Sequence, residues 1–137
     1  MFKKLSIIIP AYNEGPTIHF ILDKLQQVRL LNNIEKEVII VNDCSKDNTE
    51  EAIRKYIISN PTLNIQYFKH EVNKGKGAAL HTGIEKATGE YLIIQDADLE
   101  YDPEEYILLL QPVLDGFADV VYGTRFMGGN AHRVLFF

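Results

Sequence analysis

Tyr91-Leu92-Ile93-Ile94-Gln95-Asp96-Ala97-Asp98-Leu99-Glu100 runs from a short apolar, β-branched stretch into a cluster of carboxylates. An apolar run of this length, bounded by polar residues, reads as a buried strand. The carboxylates fall where that strand ends. Asp96 and Asp98 are two positions apart, so persisting strand geometry puts them on one face, and at a strand-to-loop junction both can converge on one cation. Hard oxygen donors of this kind suit Mg2+ or Mn2+. An ion held by so few carboxylates keeps open positions, which water and substrate phosphates usually fill, so the pattern points to a nucleotide or another diphosphate. The same cluster also reads as a solvated loop. Asp102-Pro103-Glu104-Glu105 behind it reads as a helix start, with Asp102 as N-cap and Pro103 at the first helical position.

Outward from this stretch the alternation repeats. Residues 5–9, 37–41, 64–68, 91–95 and 119–122 read as strands, the first breaking at Pro10. The spacing predicts helices over 16–30, 49–58, 77–87 and 103–114, the first carrying Ile18, Ile21, Leu22, Leu25 and Val28 on one face with Asn13 as its cap. Near-continuous apolar strands alternating with helices imply an α/β fold, a mostly parallel sheet covered on both faces. Within 137 residues there are no repeats, low-complexity tracts or linkers, so residues 1–137 read as one domain. In such sheets the ligand crevice lies beyond the carboxyl ends of the strands.

Composition narrows the function classes. Hydrophobic residues at 46% and charged residues at 24% describe an ordinary soluble globular protein. The net charge of −5, with no basic stripe, argues against a general nucleic-acid binder. A single cysteine, Cys44, cannot make an internal disulfide; it reads as a small filler at a strand end or as a nucleophile with no nearby histidine to activate it. The start Met1-Phe2-Lys3-Lys4 lacks the pattern of a signal peptide, and no apolar stretch approaches the ~20 residues needed to span a bilayer. The expected location is cytoplasmic, peripheral at the cytoplasmic membrane face.

Polar loops follow the strands. Pro10-Ala11-Tyr12-Asn13-Glu14-Gly15 follows the first and Asn42-Asp43-Cys44-Ser45 the second, meeting the carboxylate cluster at one sheet edge. Asp43 can accept from a base N–H or a ribose hydroxyl, or close an Asx turn. Asn73-Lys74-Gly75-Lys76-Gly77-Ala78-Ala79-Leu80 could present backbone N–H groups and lysines, Lys76 among them, to phosphate, or serve only as a turn before a helix. It fails the dinucleotide fingerprint, since Leu80 stands where a third glycine belongs. Past the fifth strand, Arg125 offers a planar fork suited to a diphosphate, or a surface ion pair. His19, His70, His81 and His132 show no metal-ligand spacing and read as surface or core residues.

Taken in order, Ser6-Ile7-Ile8-Ile9-Pro10-Ala11-Tyr12-Asn13-Glu14, Val41-Asn42-Asp43-Cys44-Ser45, Asn73-Lys74-Gly75-Lys76-Gly77, Gln95-Asp96-Ala97-Asp98-Leu99-Glu100 and Gly123-Thr124-Arg125-Phe126 resemble the family 2 glycosyltransferases of GT-A fold. With Ala131-His132-Arg133-Val134-Leu135, the resemblance is to that family's polyprenyl-phosphate sugar transferases, the dolichol-phosphate mannose synthase type. It implies that Pro10, Tyr12, Glu14, Val41 and Asp43 line the base and ribose pocket and that Asp96 and Ala97 complete it near the diphosphate. Asp98 and Glu100 would hold Mg2+ or Mn2+, with Asp96 a further candidate; position 100 is Gln in some relatives. Arg125 would contact the diphosphate or an acceptor phosphate. The implied reaction is inverting displacement at the anomeric carbon of a GDP-mannose or UDP-glucose type donor, with a lipid phosphate as acceptor. That acceptor is already anionic and needs no strong general base, and no catalytic base is identifiable here.

Family members of this kind continue beyond the equivalent of Phe137, so the expectation is a chain that lacks most of the acceptor region. Val134-Leu135-Phe136-Phe137 resembles the opening of an amphipathic interfacial segment. Transfer to a saccharide hydroxyl and a non-catalytic nucleotide-sugar binding module remain alternatives. A nucleotidyltransferase would carry a glycine-rich loop after the first strand, where Pro10-Ala11-Tyr12-Asn13-Glu14 stands, and an Asp-x-Asp phosphatase would place its aspartates there.

Overall fold

Leu5, Ile7 and Ile9 alternate with Ser6 and Ile8 along the first strand, and all five are 0% exposed, so this strand is buried on both faces. The computed structural model describes residues 3–98 and 102–117. Strand β1 (Lys4–Ala11) pairs in parallel with β2 (Glu35–Asn42) on one side and with β4 (Tyr91–Ile94) on the other. Strand β3 (Ile65–Lys69) adds in parallel beyond β2, giving the order β3-β2-β1-β4. The chain thus builds outward in one direction and then returns to the other side of β1. Such a reversal opens a crevice past the carboxyl ends of β1 and β4.

Helices cover both faces. Ile18, Ile21, Leu22 and Leu25 of α1 (Ile18–Gln27), Ile53 and Tyr56 of α2 (Thr49–Ser59), and Tyr106 and Leu110 of α4 (Tyr106–Leu114) pack with Leu5, Ile7, Ile9, Val38 and Ile40 in one core. Each such aliphatic side chain contributes about 1.5–3 kcal/mol on full burial. On the opposite face Ala79 of α3 (Lys76–Lys86) meets Ile39 and Val41, with Phe68 and Ala87 alongside. There α3 lies so close to the sheet that a Cβ on Gly83 would come within 2.4 Å of Ile8 Cγ2.

At the amino-terminal edge of the sheet, away from the crevice, the carboxylate of Glu37 is 1% exposed. It accepts from Ser6 Oγ at 2.6 Å, Thr88 N at 3.0 Å, Thr88 Oγ1 at 2.8 Å and Gln66 Nε2 at 3.0 Å. One side chain therefore ties together β1, β2, β3 and the α3–β4 connection. Burial alone would raise its pKa, but these hydrogen bonds hold it below the ordinary range.

Several boundaries differ from expectation for identifiable reasons. Pro10 does not end β1, which pairs Pro10 with Val41 and Ala11 with Asn42. The Ile8 carbonyl points to the β4 side, accepting from Gln95 N at 2.9 Å, and the Ala11 carbonyl to the β2 side, accepting from Asp43 N at 2.9 Å. Pro10 thus turns its missing N–H toward β4, where pairing ends at Ile8–Ile94, while the β2 side of the strand pairs on to Ala11–Asn42. Asn13 does not cap α1. It takes a left-handed φ of 54° and accepts from Lys46 N at 2.8 Å, while the turn closes through Thr17 N and Ile18 N on the Glu14 carbonyl. The same helix stops at Gln27 rather than 30, because the Lys36 ammonium reaches the carbonyls of Leu25 and Val28, in the manner of a basic C-terminal cap. Burial, then the neighbouring Arg29, lowers the Lys36 pKa. Asp102 caps as expected, accepting from Glu104 N at 3.0 Å, but it caps a 3-10 turn (Pro103–Glu105) that leads into α4. The strand expected at 119–122 and the loop carrying Arg125 lie outside the described residues.

Candidate active site

Past the carboxyl ends of β1, β2 and β4 lies a cavity of about 410 Å³, the size expected of a small-ligand site. Pro10, Ala11, Tyr12 and Glu14 line it from β1 and its loop, Asp43 from β2, and Asp96, Ala97 and Asp98 from β4. Asn73, Gly75, Lys76 and Ala79 close it from the start of α3. The structure thus brings together Pro10, Tyr12, Glu14, Asp43, Lys76, Asp96, Ala97 and Asp98. Val41 is 0% exposed and sits behind the cavity in the cluster with Ala79. Glu100 and Arg125 lie outside the described residues.

The loops are held by one another. Asn42 Oδ1 accepts from Ser45 N at 3.0 Å and Ser45 Oγ at 2.6 Å, closing a turn after β2. Asp47 accepts from Thr49 N and Thr49 Oγ1 on one oxygen and from Gly15 N at 3.2 Å on the other. Burial opposes these bonds, yet they hold the Asp47 pKa below its usual value. The Glu14 N–H donates to Thr49 Oγ1 at 2.9 Å, so the β1 loop is anchored on the start of α2.

Asp43 is 4% exposed and its oxygens accept from Lys74 N at 2.9 Å, His70 Nδ1 at 2.7 Å and Gly75 N at 2.8 Å. Burial would raise its pKa, but the Lys74 N–H, His70 and the Gly75 N–H hold it low, so Asp43 is an anion. Two N–H groups of the 73–80 segment are therefore spent on this carboxylate rather than offered to phosphate. Gly75 adopts φ 94° and ψ 162°, a region open essentially to glycine alone, which turns its N–H inward.

His70, read from the sequence as a surface or core residue, lies buried against Asp43. It is 8% exposed, with Nε2 at 2.8 Å from Thr82 Oγ1. The signal lay in the parallel register. Asn42 pairs with Lys69, so the next residues, Asp43 and His70, stand side by side. Cys44 is not a buried filler; it takes a left-handed φ of 57°, is half-buried, and its Sγ lies 3.4 Å from the Glu71 carbonyl.

At the other wall Lys76 Nζ meets Asp96 Oδ1 at 2.5 Å. Asp98 is exposed beside it. Among the described residues no three His, Cys, Asp or Glu side chains converge as a metal cluster. Asp96 and Asp98 nonetheless supply two hard oxygen donors at the solvent edge of the cavity, a set that fits a divalent cation completed by water or phosphate.

A model of glycosyl transferase family 2 matches residues 6–133. The chain belongs to that family. It is 39% identical over 101 residues to a dolichyl-phosphate beta-glucosyltransferase of Dictyostelium discoideum, covering 69% of this chain and 30% of that protein. To a dolichol-phosphate mannosyltransferase of Pyrococcus furiosus it is 29% identical, over 93% of this chain and 34% of the relative. Among solved structures, a mannosyltransferase from Pyrobaculum calidifontis in complex with GDP-Man and Mn2+ superposes with a TM-score of 0.68 at 30% identity, covering 77% of this chain and 30% of that one. The family 2 chain therefore has the GT-A glycosyltransferase fold and spans about a third of the length of the curated relatives it matches.

Proposed function

We propose that this glycosyltransferase chain forms the nucleotide-sugar half of an enzyme that transfers a hexose, with inversion, from a nucleoside-diphosphate donor to a polyprenyl phosphate. The observation carrying the reading is the shared cavity. It joins an anionic, rigidly held Asp43 at one end to the Asp96/Asp98 pair at the other, across the switch point of a family 2 sheet. Both named relatives bear a polyprenyl phosphate in their names, which supports that acceptor class.

The geometry supports a division of labour. Asp43 offers an acceptor to the base, with Pro10, Ala11 and Tyr12 forming the adjoining wall. Asp98, with Asp96 and with Glu100 from outside the described residues, would hold Mg2+ or Mn2+. Bound there, the ion would neutralise the departing diphosphate. Lys76, paired with Asp96 at 2.5 Å, places a second cation at the same wall. Arg125, also outside the described residues, is assigned to the diphosphate or acceptor phosphate.

Among the described residues no helix is long and apolar enough to cross a membrane. We place the protein at the cytoplasmic membrane face as a peripheral enzyme, where a lipid phosphate is reachable. Titration calorimetry with UDP-glucose, GDP-mannose and their free nucleotides, each with Mn2+ and with EDTA, tests the site. Metal-dependent binding of one donor is expected, and Asp98→Ala should abolish the metal-dependent increment. Equal binding with EDTA, or an undiminished increment in the variant, would remove the metal assignment.

A further inference from the structure

Asp43 has almost no accepting capacity left to give. An ionised carboxylate has about four lone-pair sites and accepts only. Oδ1 is filled twice, by Lys74 N at 2.9 Å and by His70 Nδ1 at 2.7 Å. Oδ2 is filled once, by Gly75 N at 2.8 Å. Because the carboxylate cannot donate, the proton between Asp43 and His70 sits on Nδ1. His70 cannot swing away, since its ring is 8% exposed and its other nitrogen is engaged by Thr82 Oγ1 at 2.8 Å. Vacating Oδ1 would unpair both His70 and the Lys74 N–H of the loop between β3 and α3.

We infer that Asp43 presents a single acceptor, on Oδ2, to the cavity, and so selects a base with one ring N–H between two carbonyls, uracil or thymine, over guanine. Guanine carries adjacent N1–H and N2–H donors on the same edge. A carboxylate reads that pair with both oxygens, and here one oxygen is closed. The inference rests on the nucleotide-sugar reading above and deepens it by naming the base class. The Pyrobaculum neighbour was captured with GDP-Man, so the shared fold does not itself exclude guanine. Discrimination has to come from side chains, and His70 is the positioning residue that sets it.

Ring size and donor count are separable experimentally. Inosine diphosphate has the purine frame and N1–H of GDP but lacks the 2-amino group. Calorimetric titration of this chain with UDP, dTDP, IDP and GDP, all with Mn2+, should give UDP binding about tenfold or more tighter than GDP, and IDP no weaker than GDP, because a donor left unpaired against a closed oxygen is penalised. The UDP and dTDP arms distinguish the two pyrimidines. GDP binding tighter than IDP, or as tight as UDP, overturns the proposal. If none of the four binds, the nucleotide site itself is refuted and the base assignment falls with it. His70→Leu reopens Oδ1, so in that variant the UDP-over-GDP preference should shrink by about tenfold. A purely structural role would weaken both nucleotides equally and leave the ratio unchanged.

Discussion

Replacing Glu37 separates two costs that the fold combines. Its two oxygens meet four donors, Ser6 Oγ, Thr88 N, Thr88 Oγ1 and Gln66 Nε2, so its accepting capacity is full. In Glu37→Leu the Thr88 N–H cannot rotate to another acceptor, and losing this part-buried bond to a charged group costs about 1.5–3 kcal/mol. Loss of the charge-assisted bond from Ser6 adds about 1 kcal/mol, although Ser6 Oγ still accepts from Gly89 N at 2.8 Å. The expected destabilisation is about 2–4 kcal/mol. Glu37→Gln is milder, about 1 kcal/mol, because an amide nitrogen in place of Oε1 faces the Thr88 hydroxyl and the Gln66 amide, both of which can turn to accept. Acid should narrow the gap between wild type and the Gln variant. The folded pKa of Glu37 lies below its unfolded value, so its stabilisation is present above about pH 4.3 and is lost as pH falls through the folded pKa. Urea unfolding at pH 7 and across the acid range measures all three. A Leu variant within about 0.5 kcal/mol of wild type at unchanged m, or a Gln gap that widens on acidification, would refute the reasoning.

Gly83→Ala should destabilise by about 1–3 kcal/mol through overpacking against Ile8. Ile8→Ala in the same chain should give part of this back, measured as non-additivity in a double-mutant cycle. Gly75→Ala meets open space but not a tolerable backbone, so a loss of about 1–3 kcal/mol is expected. Because the Gly75 N–H also holds Asp43, nucleotide affinity measured by calorimetry should fall with it; unchanged affinity would mean that this hydrogen bond does not set the site. Tyr106→Phe removes a fully buried hydroxyl that donates to Gln95 Oε1 at 2.6 Å, and should lower stability by about 1 kcal/mol in thermal unfolding.

Patterns that depend on neighbours along the chain were legible, and those that depend on neighbours across the sheet were less so. Five apolar helix positions from Ile18 to Val28 all proved buried because their spacing is set by one helix and the chain following it. The crevice was legible because parallel strands leave their polar loops at one edge. Pro10 misled, since it faces β4 and leaves the β2 side of the strand free to pair on, which no local pattern records. Lys36 ended α1 from eight residues beyond Val28, and His70 found Asp43 from 27 residues away. The first depends on where β2 runs past the end of α1, the second on the β2–β3 register.

Carboxylates of identical appearance in the sequence are sorted by where the fold uses their accepting capacity. Glu37 is filled by four donors at the edge far from the crevice, and Asp47 is taken up by Thr49 and Gly15. Both serve as struts. Asp43 keeps one accepting position unfilled, and Asp96 faces the exposed ammonium of Lys76 in an ion pair that can be exchanged at little cost, because exposed ion pairs contribute about 0–1 kcal/mol. Sequence position cannot distinguish these cases: Asp43 and Asp47 lie in the same loop after β2. What separates them is the partner each meets. Thr49 and Gly15 tie the exposed Asp47 to the β1 loop, outside the cavity, whereas Lys74, Gly75 and His70 hold Asp43 among the residues that line it.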